Sequence, residues 1–147
     1  MSEKSEQAVD KFKNGLNCSQ AVLSSYCEPY GLDGEQACRI ATGFGGGMRM
    51  AEICGAVTGA FMVLGLKYGN RTAEDKEAKA KTYEKIVEFT RRFEARNGSV
   101  KCSQLLGCNI STPEGMEKAQ DRGLFATVCP KMVQDAAEIL EERIEEE

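Results

Sequence analysis

The stretch GFGGGMRMAEICGAVTGAFMVLGLKYG, residues 43–69, decides how this chain folds. From Ile53 to Leu66 it carries no charge, and Lys67 then ends the run. Fourteen residues fall short of the roughly 20 that a bilayer span needs. The run shows no two-residue alternation and is long for a strand, so it reads as a buried helix from about Glu52 to Tyr68, closed by Gly69 and Asn70. The glycines from Gly43 to Gly47 cannot continue a helix at low cost. A glycine-rich loop therefore leads into a central helix that every other element must cover.

Outward from this centre, apolar residues recur at helical spacing and no segment alternates like a strand. Ala8, Val9, Phe12 and Leu16 mark a first helix, and Asn17 stands as N-cap of CSQAVLSSY, with Cys18, Ala21, Val22 and Ser25 on one face. Asp33 opens a short helix through Ala37, Cys38 and Ala41. The longest segment spans residues 72–96, opened by Thr72, with Tyr83, Ile86, Val87, Thr90 and Phe93 on its apolar face. Residues 99–123 read as a short helical turn, a loop, and a helix capped by Thr112 with Pro113 at its first position. A last helix starts near Pro130 and turns Val133, Ala136, Ala137, Leu140 and Ile144 inward. The expectation is an all-α, compact single-domain bundle of about five to seven helices over residues 1–147.

Composition removes several functions. A formal net charge of −4 and the glutamate-rich EERIEEE supply no basic field for nucleic acid. Histidine is absent, which removes Cys-His and Ser-His dyads, the Cys2His2 zinc pattern and CxxCH haem attachment. The loop GFGGGM lacks the GK[ST] ending of a phosphate-binding P-loop and follows a helix rather than a strand. Seven cysteines are many, but their number is odd and the chain opens on MSEKSEQAVDKF without an apolar leader, so a cytoplasmic protein with mostly reduced thiols is expected.

Four of the seven fall at or beside the start of a helix. Cys54 sits in the first turn of the central helix, Cys18 follows the cap Asn17, Cys102 opens the CSQLLGC turn beside Lys101, and Cys129 precedes Pro130. Unpaired N–H groups and the helix dipole at such positions favour an anion and lower a thiol pKa. Gathered around one point, four helix starts would form a pocket suited to thiolates, a cluster or an anion. No CxxC pair announces a metal site, and long gaps leave open one assembled by the fold. Gly55 and Gly59, four apart, bare one side of the central helix for a cofactor or for a neighbouring helix, and Gly45, Gly46 and Gly47 bring backbone close to the same region. Cys27 and Cys38 read as core packing, and Cys108 stays open.

These residues together resemble a known family. CGAVTG carries the CGAxxG signature of the C_GCAxxG_C_C family of redox-active proteins, and NCSQAVL, GFGGGM, CSQLLG and CPKMVQDAAEILEE follow its order along nearly the whole chain. The resemblance places the family's four cysteines on Cys18, Cys54, Cys102 and Cys129, with Cys108 the alternative to Cys102. It implies redox use of these thiols and genes near transporters. Haem-binding relatives exist, but this chain has no CxxCH to continue that role.

Three functions follow. The leading one is a thiol-dependent oxidoreductase centred on a Cys54 thiolate, with Cys18, Cys102 and Cys129 as disulfide partners and an unknown redox partner or small molecule as substrate. The second is an electron or metal carrier whose four thiolates hold an iron-sulfur cluster or soft metal ion. The third is a helical accessory of a transporter with inert cysteines. No membrane span is expected in any of them.

Overall fold

The computed structural model describes residues 2–145, with the side chain of Glu145 left aside. Among the described residues nine α-helices follow in order: α1 (Glu3–Lys13), α2 (Cys18–Tyr26), α3 (Gly34–Ala41), α4 (Gly55–Tyr68), α5 (Lys76–Asn97), α6 (Cys102–Leu106), α7 (Pro113–Asp121), α8 (Leu124–Thr127) and α9 (Cys129–Glu145). The two shortest, α6 and α8, are single turns, so seven helices of eight residues or more build an all-α bundle. None of the described helices is long and apolar enough to cross a membrane.

Their starts are written in the sequence. Ser2 caps α1 by accepting from the Ser5 N–H, Asp33 caps α3 through Gln36, and Thr112 caps α7 with Pro113 just inside. At α2 the cap is reciprocal: Asn17 Oδ1 accepts the Gln20 N–H at 2.9 Å, and Gln20 Oε1 accepts the Asn17 N–H at 3.0 Å. Asn17 Nδ2 also donates to the Thr42 carbonyl at 3.0 Å, which ties the start of α2 to the end of α3.

The central helix α4 is apolar on all sides and buried from Gly55 to Ala60. It packs on α2, α5 and α9. A methyl group added at Gly59 would stand 2.8 Å from the Ser19 carbonyl oxygen and 3.1 Å from Val22 Cβ, so the bare stripe is the surface against which α2 lies. From α5, Phe89 and Phe93 reach the centre fully buried, Phe89 meeting Phe61 edge-on at 5.9 Å. Each such ring stabilises the fold by about 1.5–3 kcal/mol, and Phe89→Ala would cost about 3–5 kcal/mol. Along α9, Val133, Ala136, Ala137 and Leu140 are fully buried, as their spacing predicts.

Three expectations are corrected. Central helix α4 opens at Gly55 rather than Glu52, because residues 52–54 run extended and pair with residues 100–102 through an antiparallel bridge between Ile53 and Lys101. The long helix α5 opens at Lys76, capped by Asp75, and its buried face is Thr82, Lys85, Phe89 and Phe93. Tyr83 and Val87, expected inward, are 59% and 48% exposed; the Lys85 ammonium takes the inward place by lying over the Tyr68 ring and donating to the Arg143 carbonyl at 3.2 Å. Finally, α8 is an additional turn between α7 and α9 that no periodicity marked.

Candidate functional site: a buried thiol cluster beside a cavity

Each of the four expected thiols stands at a helix start. Cys18 and Cys102 are the first residues of α2 and α6, Cys129 is the first of α9, and Cys54 occupies the N-cap position of α4, directly before the helix rather than inside its first turn. All four are buried, between 6% and 9% exposed, so each keeps only a sliver of accessible surface.

Two backbone hydrogen bonds fix Cys54 and Cys102 to one another. The Cys54 N–H donates to the Val100 carbonyl at 2.8 Å and the Cys102 N–H to the Glu52 carbonyl at 2.6 Å. Cys18 is held from the other side, since α2 lies against the bare flank of α4: a Cβ on Gly55 would come within 3.2 Å of Cys18 Cβ. The Cys18 thiol meets the sulfurs of both Cys129 and Cys54. Charge on Cys54 and Cys129 is felt in turn at Cys102. Four remote segments thus converge, with Cys18 at the junction.

Their electrostatics differ sharply. Cys54 is held below the ordinary thiol value, first by the Cys18 S–H directed at its sulfur, and then, against the opposing effect of burial, by the N–H groups of Ala56 and Val57. The Cys54 side chain makes no capping hydrogen bond of its own, and the N–H groups of the first turn act on it as the positive end of α4. Cys18 is pushed well above the ordinary value, by its contact with Cys129 first, then by that with Cys54 and by burial. Burial also pushes Cys102 up to about 12, with nearby thiols adding to it and Arg49 opposing. The pair Cys54 and Cys18 therefore loses its first proton from Cys54 and retains the second on Cys18.

The remaining thiols stay outside this group. Cys27 is fully buried where α2 ends, its thiol reaches the Ser24 carbonyl at 3.8 Å, and burial raises its pKa. Cys38 is half-buried rather than part of the core, since Ala37 and Ala41 fill the inward side of α3. Cys108 is half-buried and touches the cluster only as a charge neighbour of Cys102.

A cavity of about 210 Å³ opens beside the cluster. Cys18 and Cys129 face it, Phe12, Met116 and Phe125 give it apolar walls, and Arg49 is its one cationic side chain. Gly45 and Gly46 lie along it, whereas Gly47, Gly55 and Gly59 do not. Gly45 leaves room for Asn17, which a Cβ would strike at 2.5 Å; Gly47 turns against the Glu52 backbone; Gly55 and Gly59 face α2. Of the two occupants left open for the space beside Gly55 and Gly59, a cofactor or a neighbouring helix, it is helix α2 that lies there.

The loop between α3 and α4 is more specialised than a flexible entry. Gly46, Gly47, Met48 and Arg49 all take φ near +60°, a single left-handed turn, and Ala51 follows at φ 56°. For a residue with a side chain this conformation costs about 1–2 kcal/mol, and its cost is met at three non-glycine positions in a row of six. The turn delivers Arg49 to the cavity. Nothing in the spacing of GFGGGMRMA marked Arg49; its being the one charge within the glycine run was the available signal.

Among the described residues, no three Cys, Asp or Glu side chains are disposed to hold a metal ion. The expected ligand set of Cys18, Cys54, Cys102 and Cys129, with Cys108 as substitute, is brought near one point without forming a metal-holding group. A family model described as "Putative redox-active protein (C_GCAxxG_C_C)" matches residues 16–143. The chain belongs to the C_GCAxxG_C_C family. The match takes in every cysteine of this C_GCAxxG_C_C protein, together with the cavity residues from Asn17 onward. No curated protein and no solved structure matches the chain.

Proposed function

We propose that this C_GCAxxG_C_C protein is a thiol-dependent oxidoreductase in which Cys54 and Cys18 form the redox couple. The observation that carries the reading is the buried Cys54 at the start of α4 with Cys18 brought against it by the packing of α2 on α4, an arrangement in which Cys18 first, and the start of the helix after it, hold Cys54 below the ordinary thiol value. A thiolate is the reactive form of cysteine, and a second thiol in contact is what thiol–disulfide exchange requires.

In the reduced state the negative charge rests on Cys54 and the proton on Cys18. When an oxidised partner delivers a disulfide, the partner bond breaks, two electrons pass to the partner, and a Cys18–Cys54 bond forms in the protein. Charge stabilisation on Cys54 favours the dithiol state, so the disulfide state is the more oxidising one. Cys129, in contact with Cys18, is the third thiol able to receive a bond from it. Cys102 is too poor an acid to serve as nucleophile and acts by bracing Cys54 through the backbone bridge. An odd number of thiols without structural disulfides suits the reducing cytoplasm.

The test is alkylation by iodoacetamide across pH, read peptide by peptide by mass spectrometry. Cys54 is expected to react with a midpoint below the free-thiol value of about 8.5. A midpoint at or above it removes the nucleophilic role. Mild oxidation of the same protein is expected to give a Cys18–Cys54 linked peptide.

A further inference from the structure

The cavity distinguishes the two members of the couple. Cys18 faces it and Cys54 does not, so a small molecule seated there meets the sulfur of Cys18. Behind Cys18 stands Cys54, at the N-terminal end of α4 where the helix dipole favours charge on its sulfur. The walls are apolar through Phe12, Met116 and Phe125, and no acidic side chain lines the space. Arg49 is exposed at its edge, and among the described residues no carboxylate forms a salt bridge with it. At about 210 Å³ the space lies below the roughly 300–1,000 Å³ of sites for drug-sized ligands, which points to a compact metabolite-sized occupant.

We infer that this cavity takes a small thiol with an apolar body and one carboxylate, and that its sulfur attacks Cys18 of the oxidised protein with Cys54 as the leaving group. The inference rests on the Cys18–Cys54 couple proposed above. In the first step the ligand thiolate, its proton already given to water, forms a bond to Cys18 Sγ. The Cys18–Cys54 bond breaks and its electron pair leaves on Cys54. In the second step another ligand thiolate attacks the ligand sulfur of the mixed disulfide, forming the ligand disulfide and a Cys18 thiolate that takes a proton from water. Two thiols are oxidised to one disulfide, and the protein disulfide is reduced to the dithiol. The polarity follows from position: the attacked sulfur is the one that lines the cavity, and the departing sulfur is the one at the positive end of α4.

The experiment uses the full-length protein oxidised to its Cys18–Cys54 form, and 2-mercapto-3-phenylpropionate against its methyl ester as probes. Reduction of the protein disulfide is followed by thiol release, and iodoacetamide quenching traps the intermediate for peptide mapping. The carboxylate probe is expected to react about two- to fivefold faster than the ester, the scale of one partly exposed ion pair. Arg49→Gln is expected to bring that ratio close to one, while Arg91→Gln, an exposed arginine on α5, leaves it in place. The trapped species should carry the probe on Cys18 and the alkyl group on Cys54. Equal rates for the two probes, a ratio insensitive to Arg49→Gln, or the probe found on Cys54 each overturn the inference while leaving the couple standing. Failure of both probes to reduce a formed Cys18–Cys54 disulfide likewise overturns the inference and leaves the couple standing; if no Cys18–Cys54 disulfide forms, the couple itself falls and this inference with it.

Discussion

Cys18 meets the sulfur of Cys54 at the point where α2 lies against α4, and its S–H is the largest influence holding Cys54 below the ordinary thiol value. The first-turn N–H groups of α4 act in the same direction, and burial acts against both. The acidity of Cys54 is therefore a property of a pair of helices.

Removal of that donor is expected to show in reactivity. A hydrogen bond to a charged group contributes about 1.5–3 kcal/mol, and about 1.4 kcal/mol is tenfold in an equilibrium. Cys18→Ala should slow alkylation of Cys54 at neutral pH by about tenfold or more, and Cys18→Ser, which keeps an O–H in the same place, should restore much of the rate. If Cys18→Ala leaves the Cys54 rate unchanged, the pairing does not govern its acidity.

The glycines of α4 separate by what they face. Gly59→Ala drives a methyl group to 2.8 Å from the Ser19 carbonyl and should cost about 1–3 kcal/mol through overpacking. Gly65→Ala has nothing within 4 Å and should stabilise the helix by about 0.5–1 kcal/mol. Urea unfolding of the two variants is expected to move the midpoint in opposite directions.

Asn17→Ala removes the cap of α2 and its hold on the Thr42 carbonyl together. Loss of the cap alone costs about 0.5–2 kcal/mol. Because Asn17 directly precedes Cys18 and lines the cavity, the variant should also widen the access to Cys18, read as faster modification by a bulky maleimide relative to a small one.

Stability should fall in alkali. Cys102 is pushed up to about 12 by burial, whereas in the unfolded chain a thiol ionises near about 8.5. Between those values the folded state keeps a proton that the unfolded state has lost, so stability is full below about pH 8.5 and declines as pH rises, by about 1.4 kcal/mol per pH unit for one such thiol. Cys18 and Cys27 act in the same direction. Cys54 acts oppositely, its contribution being present above the unfolded value and lost as pH falls through its lower folded one. Urea midpoints from pH 7.5 to 10.5 should show a net decline that is shallower in Cys102→Ala; a flat profile in the unaltered protein would contradict the burial of these thiols.

Much of this was legible in the residues. The uncharged run from Ile53 to Leu66 announced the central helix, Asn17, Asp33 and Thr112 announced helix starts through their side-chain oxygens, and four cysteines were visible beside such starts. Local signals of this kind survive folding because they act within one turn. Long-range ones were not legible. The extended path of Glu52 to Cys54 depends on a partner 48 residues away, Lys101 opposite Ile53. The inward rotation of α5 depends on Lys85 finding Tyr68 and Arg143, which no count of apolar residues contains. Likewise the stripe at Gly55 and Gly59 was visible, but what covers it is decided by Ser19 and Val22 of another helix.

The four sulfurs come from the beginning, the middle and the last helix of the chain, and this has a consequence for synthesis. A growing chain presents Cys18 and Cys54 long before α9 exists, and until α2 docks on α4 both are ordinary thiols with ordinary acidity. The lowered pKa of Cys54 is created by the docking of α2 on α4, and Cys129 arrives last to wall the cavity. The acidity of Cys54 can thus be set by two early helices, whereas the cavity beside Cys18 is complete only when the last helix is in place.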